Sequence, residues 1–352
     1  MNDASQPIRR PVASGEFALI DRFFGARTAA RLNAQLPVGI GDDCAALSVA
    51  ADATLLTSVD TLVEGVHFLA AGDPVALGHK SLAVNLSDLA ACGAVPLACL
   101  LALTLPRVWN DERYGMDRES FLQDFAAGFR GLSERYACPL VGGDTTGSLG
   151  QGPVVISVTV FGTVPGRQAS RMLRRAEARP GDDIWVSGEL GAAAWAVERR
   201  SALDGVCHDP QWTAACARLD RPTPRVELGL ALGGVARAAI DLSDGLAGDL
   251  SHILQASAVG AELDERSLPF AAVLQTLPTA DRWRLGLQGG DDYELCWTAP
   301  PTQRAAIEAI AVRLDLPLRR IGRIVDRRGL LLRTLDDHLI PLEVQAYDHF
   351  PV

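Results

Sequence analysis

Ala83-Val84-Asn85-Leu86-Ser87-Asp88-Leu89-Ala90-Ala91-Cys92-Gly93-Ala94 sets a carboxylate into a stretch that is otherwise almost wholly apolar or small. From Pro74 to Gly93 the apolar residues recur at helical spacing, with Pro74 at the start and Gly93 near the end, so the sequence predicts a helix. Within it Asn85, Asp88 and Cys92 fall at i, i+3 and i+7 and share one face, while Leu82, Leu86 and Leu89 cover the neighbouring face. A helix so rich in Ala and Leu is expected to be buried. Asp88 then needs a partner, because a buried carboxylate is expensive unless its charge is compensated.

Aspartates recur on both sides of this helix, each beside small residues: Gly41-Asp42-Asp43, Ser58-Val59-Asp60-Thr61, Gly142-Gly143-Asp144-Thr145, Asp241-Leu242-Ser243-Asp244-Gly245 and Gly290-Asp291-Asp292-Tyr293-Glu294. Taken singly, Gly beside Asp marks a turn, and Asp52, Asp73 and Asp204 read that way. Asp60 and Asp241 differ, since each ends an apolar strand, 54–59 and 238–242 respectively. Asp241 and Asp244, with Ser243 between them, can present two carboxylates and a hydroxyl to one ligand; capping of a helix from Leu246 is the competing reading. If these clusters converge, their natural complement is hard divalent cations bound through oxygen, with a phosphate as the other partner.

Two phosphate-binding look-alikes fail. Gly39-Ile40-Gly41-Asp42-Asp43-Cys44 lacks the third glycine of a dinucleotide fingerprint and puts carboxylates where a pyrophosphate needs bare amides. Gly78-His79-Lys80-Ser81 has the wrong spacing for a phosphate loop. His67 reads either as a surface imidazole or as a phosphate or substrate contact. The Arg171 to Arg179 run reads as a solvated face or as the source of a bidentate phosphate clamp.

At 352 residues two domains are expected, and a balance of 48 % hydrophobic to 22 % charged residues is that of a globular protein. The net charge of −10 argues against nucleic acid as a partner. Seven cysteines without a Cys-x-x-Cys pair fit free thiols in a reducing cytoplasm. No secretory signal is visible, and the Leu97–Leu105 apolar run is far too short to span a bilayer, so no membrane association is expected. Residues 1–14 read as a disordered tail, with an amphipathic helix opening at Gly15-Glu16-Phe17. Strands are expected at 45–49, 96–105, 139–141, 154–164, 183–187, 261–263, 293–298, 318–325 and 329–333, with Gly142-Gly143-Asp144 as a turn after the third. Helices are expected at 118–136, 191–200, 226–232, 246–257 and 302–314. Pro165-Gly166 is the expected boundary between a domain of 15–165 and one of 166–352.

Together the six ordered motifs, Gly39–Ala45, Ser58–Phe68, Ala83–Ala94, Gly142–Thr146, Ile240–Leu246 and Gly289–Leu295, resemble the thiamine-monophosphate kinase family, within the superfamily of aminoimidazole ribonucleotide synthetase and selenophosphate synthetase. The likeness runs from about Gly15 to Phe350. It implies an α+β fold in two domains: an N-terminal mixed sheet with helices on one face, pairing across a homodimer, and a C-terminal α/β domain closing over the nucleotide. It also implies direct in-line phosphoryl transfer from ATP to thiamine monophosphate, the last step in making thiamine diphosphate, assisted by several Mg²⁺ ions and without a phospho-enzyme. By the same resemblance the metal ligands are Asp43, Ser58, Val59 (by its carbonyl only), Asp60, Asp88, Asp144, Asp241 and Asp244. Gly143, Asp144, Ser243 and Arg175 hold ATP, with Arg174 or Arg171 as alternatives to Arg175; His67, Asp291 and Tyr347 contact thiamine monophosphate. The chain departs from the family in having Val59 for a hydroxyl residue, Asp291 for the usual Glu and Ala346 for a usual glycine. Another superfamily enzyme acting on a ribonucleotide or selenide, and a non-catalytic nucleotide or thiamine sensor, are the alternative readings; the early Cys or Lys of selenide-activating relatives is not evident.

Overall fold

The computed structural model describes residues 19–25, 33–40, 43–166, 172–202 and 209–343. The expected tail 1–14, the start of the first helix, Gly41, Asp42, Arg171, Asp204, Cys207 and Tyr347 lie outside the described residues; of the first helix, Ile20–Gly25 is seen as a π-helical turn.

Among the described residues the strands form two sheets. Thr54–Val63 (β1), Val95–Pro106 (β2), Leu140–Ser148 (β3) and Val155–Val164 (β4) make a four-stranded sheet in the order β1-β4-β2-β3. It is mixed: β2 and β3 run parallel and the other neighbours antiparallel. Along β4 alternate residues are buried, and Ile156, Val158 and Val160 pack beneath Pro74–Ala91 (α1) and Arg118–Arg135 (α2) on one face. Asp73 starts α1 by accepting from Val75 N at 2.9 Å, an N-cap where its sequence suggested a turn, and its other oxygen meets Arg221 at 2.8 Å.

The second sheet has seven strands: Asp183–Ser187 (β5), Ala238–Asp241 (β6), Gly260–Asp264 (β7), Leu295–Ala299 (β8), Leu318–Val325 (β9), Gly329–Arg333 (β10) and Leu339–Pro341 (β11), ordered β11-β10-β7-β9-β5-β8-β6. Only β7 and β10 are parallel neighbours, so this domain is mixed and mainly antiparallel. Its helices are Ala192–Ala202 (α3), Pro210–Asp220 (α4), Val226–Leu232 (α5), Leu246–Ser257 (α6), Thr279–Leu287 (α7) and Arg304–Leu314 (α8). Among the described residues no helix is long and apolar enough to cross a membrane.

The two domains share a core. One apolar cluster runs from Leu82, Leu86 and Leu89 of α1 through Val226 and Leu228 to Trp297 and Ile307. Neutral hydrogen bonds tie α1 and its surroundings to the C-terminal domain: His79 Nε2 meets Pro222 O at 2.8 Å, Tyr136 OH donates to Pro224 O at 3.0 Å, and Leu173 N donates to Cys92 O at 3.1 Å.

Several expectations give way. Asp60 does not end its strand, because β1 continues to Val63 and puts Asp60 inside it. Gly142-Gly143-Asp144 is not a turn; the three residues pair with β2 inside β3, where ladder hydrogen bonds override turn propensity. Residues 45–49 contribute only an isolated Val38–Ala46 bridge. Helices α4 and α7 and strand β11 were not anticipated.

Candidate active site

Alternation along β1 turns Leu56, Ser58, Asp60 and Leu62 to α1, and Leu55, Thr57, Val59 and Thr61 to the opposite face. Because β1 is an edge strand, the outward N–H of Asp60 has no strand to donate to. Asn85 Oδ1 accepts it at 3.1 Å, while Asn85 Nδ2 donates to Ser81 O at 3.1 Å. One turn further along α1, Asp88 Oδ2 accepts from Ser58 Oγ at 2.5 Å. The helix face carrying Asn85 and Asp88 therefore clamps β1.

The C-terminal domain supplies the facing acids. Strand β6 ends on Asp241, which is buried. The following loop is zipped to the 290–294 loop by three backbone bonds of 2.8 Å each: Leu242 N to Glu294 O, Tyr293 N to Leu242 O and Asp291 N to Ser243 O. Asp244 does not cap α6. Gly245 occupies the cap position without a side-chain bond, and Asp249 in the first turn reaches back to accept from Asp244 N at 3.1 Å. The competing capping reading of the Asp241–Asp244 motif is thus excluded for Asp244.

The acids act on one another. Burial, then the Asp88 charge and hydrogen bond, then the Asp244 charge push Asp60 up to about 7. Burial and the Asp88 charge push Asp241 up to about 8, with Asp249 and Asp60 adding to the rise and the Ser87 hydroxyl opposing it. Burial raises Asp88 too, against the Ser58 hydrogen bond and the Arg175 charge. Asp249 is pushed up to about 7, chiefly by burial. Asp60, Asp88, Asp241 and Asp244 therefore share one strongly negative, poorly hydrated region.

Beside them lies a cavity of about 230 Å³ between the domains. Ser58, Asp88, Cys92, Arg174, Arg175 and Asp241 line it together with apolar Leu56, Leu89, Leu173 and Ile240. Arg174 is turned to Glu177, whereas the charge of Arg175 acts on Asp88, Cys92 and Asp249. Burial and the nearby Asp88 and Asp241 push the Cys92 thiol up to about 11, so it is no nucleophile.

Most of the other expected residues have partners of their own. Asp43 is exposed. Val59 has its side chain on the open sheet face, 60 % exposed. Since Asp60 N–H bonds Asn85 at the sheet edge, the Val59 carbonyl one residue earlier is directed toward β4. His67 Nδ1 accepts from Val63 N at 3.0 Å, which places its proton on Nε2. Asp292 accepts from Gly191 N at 3.0 Å, a structural role. Asp291 is paired with the buried ammonium of Lys80 at 2.8 Å.

Gly143 and Asp144 are the main discrepancy. Asp60 is in register with Val158, Val158 with Leu101, and Leu101 with Gly143, so Asp144 lies one residue on and faces the other side of the sheet. Three strand spacings of about 4.8 Å put β3 roughly 14 Å from β1. Within one chain Asp144 does not join the cluster. The glycine before it is required by the sheet, since a Cβ at Gly143 would lie 1.9 Å from Leu101 O.

Sequence reasoning missed Asn85 as the β1 clamp, Asp249 as the loop anchor and Lys80 as the Asp291 partner. An acid one turn into the α6 sequence, on its apolar side, was the available signal for Asp249.

The region suits a hard divalent cation: its donors are carboxylate and hydroxyl oxygens, and its negative charge exceeds what Arg175 offsets. Among the described residues no three His, Cys, Asp or Glu side chains form a ready cage. A magnesium ion takes one or two carboxylates, with water or phosphate oxygens completing its shell.

Residues 41–164 match the family described as AIR synthase related protein, N-terminal domain, and residues 179–333 match its C-terminal domain. The chain is 40 % identical over 341 residues to thiamine-monophosphate kinase of Salmonella typhimurium, covering 96 % of this chain and 99 % of that one. It superposes on the crystal structure of thiamine-monophosphate kinase from Stenotrophomonas maltophilia K279a with a TM-score of 0.79, at 45 % identity, over 90 % of this chain and 96 % of that one. It also superposes on AaThiL complexed with AMPPCP and TMP with a TM-score of 0.72, at 30 % identity, over 96 % and 97 % of the two chains. On sequence, length and fold alike, the chain belongs to the thiamine-monophosphate kinase family.

Proposed function

We propose that the chain transfers the γ-phosphoryl group of ATP to the phosphate of thiamine monophosphate, releasing ADP and thiamine diphosphate. The observation that carries this reading is the convergence of Asp60, Asp88, Asp241 and Asp244 on the joint between the domains, in a chain with this family's full-length likeness. An acceptor that is already a phosphate is a competent nucleophile, so the protein has to overcome anion repulsion rather than supply a strong base. Asp60, Asp88, Asp241 and Asp244, with Ser58, would hold Mg²⁺. When bound, magnesium screens the two phosphates from one another and offsets charge on the transferring group.

The chain's own residues provide the rest. Asn85 and Asp88 hold β1 to α1, so that the oxygens of Ser58 and Asp60 are positioned before substrates arrive. Arg175, at the mouth of the cavity, binds an ATP phosphate, and the apolar walls at Leu56, Leu89, Leu173 and Ile240 take the less polar part of the nucleotide. Ser243 lies on the loop that carries Asp241 and Asp244. His67 donates from Nε2 to the acceptor phosphate. Asp291 and Tyr347 recognise the cationic thiamine end, by charge and by stacking.

Gly143 and Asp144 reach the site from a second copy. The open face of the four-stranded sheet supports this: Leu55 (46 %), Val59 (60 %) and Val95 (43 %) are exposed on the side that carries Asp144. Two such faces packed about a two-fold axis parallel to the strands would set the β3 edge of one copy along the β1 edge of the other. The six described cysteines are free thiols, in keeping with a reducing cytoplasm.

The test is ADP release in a coupled assay with and without thiamine monophosphate. Release that depends on the acceptor is expected. Release indifferent to the acceptor points to a plain ATPase, and binding without release to a sensor.

A further inference from the structure

Lys80 is only 4 % exposed, in the middle of α1, and its ammonium lies 2.8 Å from Asp291 Oδ1 across the domain joint. Burying an ammonium is costly unless it is paired, and an apolar side chain of similar length would pack at that position without the penalty. The charge therefore needs a reason beyond packing. Docking of α1 on the C-terminal domain does not supply one, because the His79–Pro222, Tyr136–Pro224 and Leu173–Cys92 hydrogen bonds and the shared apolar cluster already hold it.

The Asp291 end is informative. Asp291 adopts a left-handed backbone with φ of 68°, held by the bond from its N–H to Ser243 O at 2.8 Å. Its backbone is thus fixed without Lys80, and what remains free is the carboxylate itself. The loop that carries it is tied to the Asp241–Asp244 loop by the Asp291 N–Ser243 O and Tyr293 N–Leu242 O bonds, 2.8 Å each. Lys80 engages one oxygen, and the side chain, 32 % exposed, keeps the remainder open to a ligand.

We propose that Lys80 is a positioning residue, which aims the Asp291 carboxylate at the cationic end of the acceptor and so sets affinity for thiamine monophosphate without contributing to ATP binding. The proposal rests on the reading of Asp291 as the acceptor contact. Lys80→Met keeps an unbranched side chain one atom shorter and leaves Asp291 partly hydrated, Asp291→Asn removes the carboxylate, and the double variant removes both charges so that neither is left buried alone.

KM for each substrate is measured with the other saturating, and melting curves identify variants that fold. Lys80→Met is expected to raise KM for thiamine monophosphate about tenfold or more, with KM for ATP within about twofold of wild type. Lys80→Arg should recover most of the loss, and the double variant should be no worse than Asp291→Asn alone. Equal increases in both KM values, or losses that multiply in the double variant, would overturn the proposal. An Asp291→Asn variant with unchanged KM for thiamine monophosphate would instead remove the assignment of Asp291 to the acceptor, and the proposal with it.

Discussion

Replacing Asp60 with Asn should damage activity and stabilise the metal-free protein at the same time. The substitution preserves shape and can still meet Asp88, but removes one charge from the cluster. In the folded chain burial and the Asp88 and Asp244 charges push Asp60 from 3.8 to about 7. At about 1.4 kcal/mol per pH unit, keeping it ionised above that value costs at most about 4.5 kcal/mol. Burial is the largest cause, and hydration of the partly open site relieves part of it, which leaves a gain of roughly 2 kcal/mol for Asn. For a chain of this size that is a rise of about 3 °C in melting temperature at pH 8 in EDTA. Turnover should fall about a hundredfold or more, since loss of a direct metal ligand exceeds the effect of losing a residue behind one. Scanning fluorimetry in EDTA and initial rates at saturating Mg²⁺, ATP and thiamine monophosphate give the two readouts. Near-normal turnover, or a melting temperature that drops in EDTA, would refute the argument that Asp60 is kept for metal at a cost in stability.

Other expectations follow from the same geometry. If Asp144 serves the partner's site, mixing and refolding equal amounts of Asp60→Asn and Asp144→Asn chains should restore about a quarter of wild-type activity, because half the dimers carry one intact site; no recovery would place both residues in one protomer's site. The folded forms of Asp60 and Asp241 bind protons more tightly than an unfolded chain does, with values of about 7 and about 8 against 3.8. Metal-free protein should therefore lose stability as pH rises from about 4 to about 8, and Mg²⁺ should flatten that slope; a metal-free melting temperature that climbs across the window would contradict the sign. Gly229→Ala would put a Cβ 2.0 Å from Ala90 O, forcing α5 off α1. It should cost about 1–3 kcal/mol in denaturant unfolding, and an unchanged midpoint would show that the domains are not packed this closely.

Much of the architecture could be read where local and tertiary demands agree. Strands β9 and β10 fall at their expected bounds, because aliphatic residues there are bracketed by the polar turn around Asp326-Arg327-Arg328. Asp88 could be read as an acid in need of a partner because its helix has no polar face to place it on; it is half-buried, with Ser58 as that partner. Where the two demands disagree, the sequence misleads. Gly142-Gly143-Asp144 has turn composition, yet the glycine at 143 is needed for close approach to β2. Asp209-Pro210, an N-cap followed by proline at the first helical position, marks the start of α4 and was an available signal. Lys80 looked like a failed phosphate-loop lysine, since its partner Asp291 is remote in sequence and only the folded chain joins them. The position of Asp144 depends on strand order, which no local pattern carries.

The most direct test of the phosphoryl-transfer account follows the label from [γ-³²P]ATP in the presence of Mg²⁺ and thiamine monophosphate. The account predicts ³²P in the terminal phosphate of thiamine diphosphate, none on the protein, and loss of labelled product when Asp60 or Asp88 is changed to Asn. Label released as inorganic phosphate whether or not thiamine monophosphate is present, with no labelled thiamine diphosphate, would contradict it.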